Sequence, residues 1–496
     1  SKMWLSLLFL PSLVFSVIVQ TPFGEIEGFE HTTESGTPIQ IFLGIRYGKA
    51  INGSRRFEKA EMVEKWAPSR ISAKEFGASC DAFTASRSPG TIYSEDCLFM
   101  NIIMPKQEGA DLPVFFYIHG GFYEAGSSTA LGYKNLAERI ASQGIVVVTF
   151  NYRLGPFGFF SLGDSSAPGN MGLWDQTLAL RFARELLPSF GADPSRITIG
   201  GHSAGSASSS ALQFSPHSNT LFAQSILISG SSLAEFAQSE NVVHESRKLL
   251  QSFGCPLNST SQALDCLRKR TPDEIYRAVD KIGTSRRHPN VVVYNPRIDG
   301  DFFPRPIPDL ARTAPKKRVL AGVTDQESAL FTMNEKLTWL AAIALTQKEM
   351  QSFSRKDLLK FIETIVVNDE EFKASAPAFR KLLVDFYAGE DEVAKNSTFY
   401  LQRYTDLNSD LQFYIPLYQE IDLNLAHHWP TFIYILQHNA KSFPRASNAV
   451  QGTYHGDELE HFTDSFSLFP LKKNEHDDHV FGKNFASSMV NFIKTG

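Results

Sequence analysis

Cysteine is scarce in this chain: 496 residues contain four, too few for a fold built on a disulfide framework. They fall as two local groups, Cys80 with Cys97 and Cys255 with Cys266. Of the pairings open to four cysteines, proximity favours two small closed loops. A surplus of one charge is also missing. The 48 basic and 53 acidic residues leave a net charge of -5, which gives no electrostatic basis for a nucleic-acid partner. Long uninterrupted apolar runs are absent too. The opening "SKMWLSLLFLPSLVFSVIVQ" is apolar from Trp4 to about Phe15 but is broken by Pro11, and it is too short to span a membrane. With Lys2 ahead of it, the stretch reads as a secretory signal peptide over residues 1–16. Glycosylation sequons at Asn52, Asn258 and Asn396 and paired cysteines point to the same secreted or lumenal compartment. Internal repeats and low-complexity linkers are not found. The stretch "EHDDH" holds His476 and His479 among acids, but it lacks a third convincing metal ligand and reads as a solvated acidic loop.

What is present is a folded composition, 43% hydrophobic and 20% charged, neither disordered nor membrane-embedded as a whole. Near-continuous apolar runs recur as "PVFFYI" from Pro113, "GIVVVTF" from Gly144, "RITIGG" from Arg196, "SILIS" from Ser225 and "RVLAGV" from Arg318. Helix-length segments lie between several of them, such as that from Gly172 with Leu173, Leu178, Leu180, Phe182 and Leu187. Fully apolar strands alternating with helices predict a mostly parallel α/β sheet covered on both faces. Helix-rich insertions are expected over 236–290 and 330–420. The partner this composition suggests is a small molecule or peptide.

Chemistry concentrates at "SRITIGGHSAGSASSS", residues 195–210. A strand ends, Gly201 and Gly205 flank Ser203, and a helix of small residues begins. Such a turn exposes a serine Oγ in a strained conformation, and it tolerates only neighbours without bulk. A second glycine-rich turn, "YIHGGFYEAG" at 117–126, follows a strand. Gly120 and Gly121 there, with the Ala204 amide at the helix start, form a candidate oxyanion hole. A serine nucleophile needs a base and a group to orient it. After "RVLAGV" the chain offers Asp325 and Glu327, between which spacing does not choose. Near the end, "GTYHGDELEHF" offers His455, followed by Gly456 as suits a presenting loop, and His461, which reads as a surface residue.

These motifs resemble those of the type-B carboxylesterase and cholinesterase family of α/β hydrolases. The resemblance runs from about Val17 to Gly496 through "FLGIRYG", "EDCLFMNIIMP", "NYRLGPFGF", "PGNMGLWDQTLALRF", "FGADPSRITIGGHSAGSAS" and "PRIDG". Met100 departs from the family's more usual aliphatic or threonine. The resemblance implies an α/β-hydrolase fold with helical insertions as a single domain, 17–496. It also implies that relatives continue beyond the stretch matching Gly496, so the domain reads as truncated at its C-terminus, where any anchor or retention signal would fall. Matched motif by motif, it implies Ser203 as nucleophile, Glu327 as acid, His455 as base, Ser229 as a supporting hydroxyl, and disulfides Cys80–Cys97 and Cys255–Cys266. Phe122, His202 and Phe236 fall at the substrate pocket. The expected activity is hydrolysis of carboxylic esters without metal or organic cofactor.

The departures narrow the substrate. The first cysteine loop, "DAFTASRSPGTIYSED", has Phe83 and Tyr93 but no tryptophan to hold a quaternary ammonium. His202 stands where cholinesterases carry a glutamate, and Phe236 where they carry an acyl-pocket tryptophan. A carboxylesterase is therefore expected ahead of a choline-ester hydrolase, and ahead of a non-catalytic adhesion or binding protein of the same fold. No interfacial lid of a lipase is identifiable.

Overall fold

The computed structural model describes residues 16–83, 86–106, 111–283, 292–337, 343–389, 396–438, 449–464 and 476–496. The expected signal peptide lies almost wholly outside them. Thirteen strands are present among the described residues. They are β1 (Ser16–Thr21), β2 (Gly24–Thr32), β3 (Pro38–Arg46), β4 (Arg70–Ser72), β5 (Ser79–Cys80), β6 (Tyr93–Ser94), β7 (Phe99–Pro105), β8 (Leu112–Ile118), β9 (Val146–Phe150), β10 (Ala192–His202), β11 (Gln224–Ile228), β12 (Arg318–Thr324) and β13 (Thr431–Leu436). Eleven form one sheet in the order β1-β2-β3-β7-β9-β8-β10-β11-β12-β13, with β4 beside β2, while β5 and β6 make a separate ladder.

The half of the sheet from β9 to β13 is entirely parallel. Its strands are covered on both faces, which is why β8, β9 and β11 are buried at every position and read as unbroken apolar runs. The alternation survives in the direction each side chain takes. Phe116 and Ile118 enter the core shared with the helices Met171–Leu186 and Ala204–Phe214. Phe115 and Tyr117 pack on the other face with Leu136, Ala137, Met489 and Val490. The N-terminal half, β1-β2-β3-β7 and the β7-β9 pairing, is antiparallel. β1 alternates exposed with half-buried residues, as an edge hairpin strand does. Both expected insertions are helical, three helices over 241–282 and a longer series over 329–426.

Two expectations fail. His461 is buried, not on the surface: Phe481 and Phe485 of the last helix (His476–Thr495) meet its ring edge-on. Gly482 leaves room for its ring, since a side chain there would press on His461 Nδ1. The acidic stretch at 476–479 is the first turn of that helix rather than a solvated loop. Acids suit this end of a helix dipole, and Asp478 turns inward to bond His438 Nε2 at 2.8 Å. Among the described residues no group of three His, Cys, Asp or Glu is arranged to hold a metal ion, and no helix is long and apolar enough to cross a membrane.

β13 is paired on one side only among the described residues. Phe432, Ile433 and Ile435 remain 51%, 50% and 52% exposed. A long apolar edge of this kind templates self-association. The double substitution Ile433→Lys/Ile435→Lys is expected to shift the chain toward monomer in sedimentation velocity. An unchanged distribution would show that this edge makes no contact between copies.

Candidate active site

β10 delivers Ser203 to a sharp turn. Its φ of 58° and ψ of -123° lie outside the regions favoured by a non-glycine residue, and its amide donates to Ile228 O at 2.9 Å. The flanking glycines are sterically required. A side chain on Gly201 or Gly205 would strike the Ile118 carbonyl, and one on Gly230 would strike the carbonyl of Ser203. The eleven-residue helix Ala204–Phe214 starts at the next residue, so its unpaired amide end lies beneath the serine.

The turn at 120–126 abuts this elbow. A side chain on Gly120 would come within 3.2 Å of Ser203 Cβ. His119 holds the turn rather than reaching for substrate: its ring stacks on Tyr152 at 4.4 Å, its Nδ1 lies 2.9 Å from Gly120 O, and Tyr152 Oη donates to His119 O. Phe122 and Tyr123 continue the turn with φ of 62° and 61°. Glu124 then anchors it, accepting from the Val293 and Tyr294 amides at 3.0 and 2.9 Å. Burial pushes the Glu124 carboxyl up to about 8. The amides of Gly120, Gly121 and Ala204 donate in none of the hydrogen bonds of the described residues.

The ends of β12 and of the 449–455 segment are stitched together, and the two acids divide the work. Asp325 Oδ1 accepts from the Thr453 amide at 2.7 Å, and Gln326 N donates to Thr453 O at 3.0 Å. Glu327 reaches further: Oε2 lies 2.6 Å from His455 Nδ1, and Oε1 accepts from Thr324 N at 2.8 Å. His455 is followed by Gly456 in the left-handed region, φ 89°. The His455 ring lies 4.3 Å from the ring of His202, the residue before Ser203, and its Nε2 is buried without a hydrogen-bond partner. Burial lowers the His455 pKa below the ordinary histidine value and raises that of Glu327.

Aromatic rings surround this imidazole. Phe413 and Phe331 stand 4.7 and 5.2 Å from it. Phe122 contacts Phe331 at 5.5 Å, and Phe236 contacts Phe413 at 5.6 Å. Phe413 lies in a π-helical turn, Asp410–Tyr414, a one-residue expansion that recurs at functional sites. Here Tyr414 Oη donates to Thr324 O at 2.8 Å, beside Glu327. Phe331 and Phe413 are site residues that local motifs did not mark, and Glu458, inside the "GTYHGDELEHF" stretch, is buried with its Oε1 2.8 Å from Ser229 Oγ. The disulfides Cys80–Cys97 and Cys255–Cys266 are both formed. In the first loop Phe83 turns inward onto Tyr276 at 5.5 Å. Arg87 packs over Tyr93 and pairs with Asp81 at 3.2 Å. Asn52, Asn258 and Asn396 are all exposed.

A nucleophile elbow at the end of a parallel strand, between two helical layers, defines an α/β hydrolase. Residues 16–496 match the Carboxylesterase family, and the chain belongs to it and is a carboxylic ester hydrolase. It is 32% identical to Gut esterase 1 of Caenorhabditis briggsae across 97% of this chain and 84% of that protein. Juvenile hormone esterase of Tribolium castaneum is 30% identical across 97% and 83%. Bile salt-activated lipase of Bos taurus is 29% identical across 96% and 79%.

Proposed function

We propose that the protein is a secreted serine carboxylesterase acting on neutral carboxylic esters through Ser203, His455 and Glu327. The observation that carries this reading is the Glu327–His455 contact of 2.6 Å beside a strained serine and a set of undonated amides. His455 removes the Ser203 proton as Oγ attacks the ester carbonyl, and Glu327 stabilises the imidazolium. The amides of Gly120, Gly121 and Ala204 receive the oxyanion. His455 then protonates the leaving alcohol, and it activates the water that cleaves the acyl-enzyme. The aromatic wall of Phe122, Phe236, Phe331 and Phe413 suits an apolar acyl or alcohol group. His202 brings no charge where cholinesterases carry a glutamate, since burial holds its imidazole well below the ordinary value and therefore neutral. Two disulfides and exposed asparagines in all three sequons support a secretory compartment, and Asn52, Asn258 and Asn396 are the proposed glycan sites.

A fluorophosphonate probe tests the reading. It is expected to add one adduct per chain, mapped to Ser203 by peptide mass spectrometry, with activity on nitrophenyl esters exceeding that on a choline ester. Labelling elsewhere would overturn the assignment. A folded chain that neither labels nor hydrolyses would point to a binding protein on this fold.

The resting site also sets the pH profile. Catalysis needs neutral His455, and burial lowers its pKa from 6.5. Where His455 sets the limb, activity is retained as pH falls through 6.5 and is lost only below it; the raised Glu327 carboxyl, which must stay ionised to support the imidazolium, acts in the opposite direction. The acid limb of kcat/KM is expected at a lower pH than an unperturbed histidine gives, read from initial rates corrected for stability. A limb at or above 6.5 would assign the titration to Glu327 rather than to a desolvated base.

A further inference from the structure

The turn over 120–126 carries an aromatic ring where its backbone suits glycine. Phe122 and Tyr123 stand in succession at φ of 62° and 61°, in the left-handed region that a bulky residue rarely enters and glycine enters freely. Strain of this kind persists only where the surroundings over-determine it, and ties on both sides do so here. The Ala125 amide donates to Gly121 O at 2.8 Å, the Gly155 amide donates to Tyr123 O at 2.7 Å, and Glu124 Oε1 accepts from the Val293 and Tyr294 amides. The two strained residues send their rings to different places. Tyr123 is fully buried against Phe159, so packing accounts for it. Phe122 is half-buried, and its ring meets that of buried Phe331 edge-on at 5.5 Å. Phe331 in turn stands 5.2 Å from the His455 imidazole.

The neighbours of Phe122 show why its side chain reaches the ester. A side chain on Gly120 would strike the His202 carbonyl, and one on Gly121 the Ala125 carbonyl, so both positions are closed to any side chain. Phe122 is the next position, where a ring has room, directly beyond the proposed oxyanion donors. In the tetrahedral intermediate the oxyanion faces those amides, and the leaving oxygen faces His455. The first alcohol carbon lies beyond that oxygen, whereas the acyl α-carbon is bonded directly to the carbon that bears the oxyanion. Crowding from the residue next to the amides therefore falls first on the acyl α-carbon.

Resting on the assignment of Ser203, His455 and the oxyanion amides above, we infer that Phe122 is a specificity-determining residue whose ring confines the acyl side to acids unbranched at the carbon next to the carbonyl. A straight chain turns only hydrogens of that carbon toward the ring. A quaternary carbon sets a methyl group against it. The strained backbone at Phe122 is what keeps the ring in this place.

Paired esters test this. The ratio of kcat/KM on nitrophenyl butyrate to that on nitrophenyl pivalate, which share a leaving group, is measured for the wild type, Phe122→Ala and Phe122→Gly. Removing the ring is expected to move the ratio toward pivalate by about tenfold or more. The intrinsic reactivities of the two esters cancel between proteins, and a turn that merely loosens lowers both rates and leaves the ratio where it was. If neither small variant folds, Phe122→Trp replaces them and is expected to move the ratio toward butyrate. An unchanged ratio overturns the proposal and leaves the esterase reading intact. Should the wild type hydrolyse neither ester, that reading fails alone, and calorimetric titration of both esters into Ser203→Ala and Ser203→Ala/Phe122→Ala decides the role of Phe122. Tighter binding of the butyrate ester that loss of the ring abolishes supports the proposal; equal binding of the two esters to Ser203→Ala overturns it.

Discussion

Replacing Ser203 with alanine is expected to lower kcat on a nitrophenyl ester by about 10⁵- to 10⁶-fold, the scale seen when a nucleophile is removed from a serine triad. The residual rate would come from amides that still polarise the bound carbonyl. Stability should hardly change, because alanine keeps the same Cβ in the same strained backbone, φ 58° and ψ -123°. Ser203→Gly separates the two effects. It is equally inactive, but it relieves strain of about 1–3 kcal/mol, part of which glycine's greater unfolded-state entropy takes back. The expected order of melting temperature is therefore glycine above alanine and wild type. Kinetics on protein purified free of host esterase, with scanning calorimetry on all three, read both quantities. An alanine variant retaining a few per cent of wild-type kcat would remove Ser203 from the chemistry. A glycine variant less stable than alanine would show that the turn is not strained.

The parallel half of the fold was legible because its strands are buried on both faces, so "PVFFYI" and "GIVVVTF" carry the pattern locally. The antiparallel N-terminal strands were not read as strands. β1 follows the apolar run assigned to a signal peptide, and β2 sets half-buried Glu25 and Glu27 between buried Gly24, Ile26 and Gly28. The Ser203 elbow and the Gly120 turn announce themselves by the glycines that close backbone approach demands. The acid was ambiguous on spacing because Asp325 and Glu327 follow the same strand. What separates them is reach across to another segment, Asp325 to the Thr453 amide and Glu327 to His455. Phe331 and Phe413 had no local signal at all. They meet around the imidazole from two parts of one insertion, Phe413 through a π-helical turn that sequence periodicity does not encode. His461 was misplaced because its neighbours Phe481 and Phe485 come from the final helix.

The largest loss of stability is expected from Asp175→Ala. Asp175 lies in the helix Met171–Leu186 with no exposed surface, and Arg153, in the segment after β9, is 3% exposed. Both guanidinium contacts to the carboxylate are 2.7 Å. The Arg153 amide adds a third bond to the same group at 3.1 Å, and Nη1 donates to Glu58 O. Removing the carboxylate leaves a buried cation with one carbonyl partner, at a cost of about 3–5 kcal/mol. A typical domain has about 5–15 kcal/mol in total. Replacing both partners, Arg153→Met with Asp175→Leu, removes the charge along with its partner, and it should destabilise less than Asp175→Ala alone. That inversion, a double change milder than a single one, is the outcome that identifies an uncompensated charge rather than lost packing volume. Activity should fall with stability, because two residues beyond Arg153 the Gly155 amide bonds Tyr123 O at 2.7 Å, tying this segment to the turn that holds Gly120 and Gly121. Urea denaturation of the three proteins gives the order. A double variant as unstable as Asp175→Ala would assign the ion pair a packing role, and an Asp175→Ala variant within 1 kcal/mol of wild type, about a fivefold change in equilibrium constant, would show that the buried cation finds water.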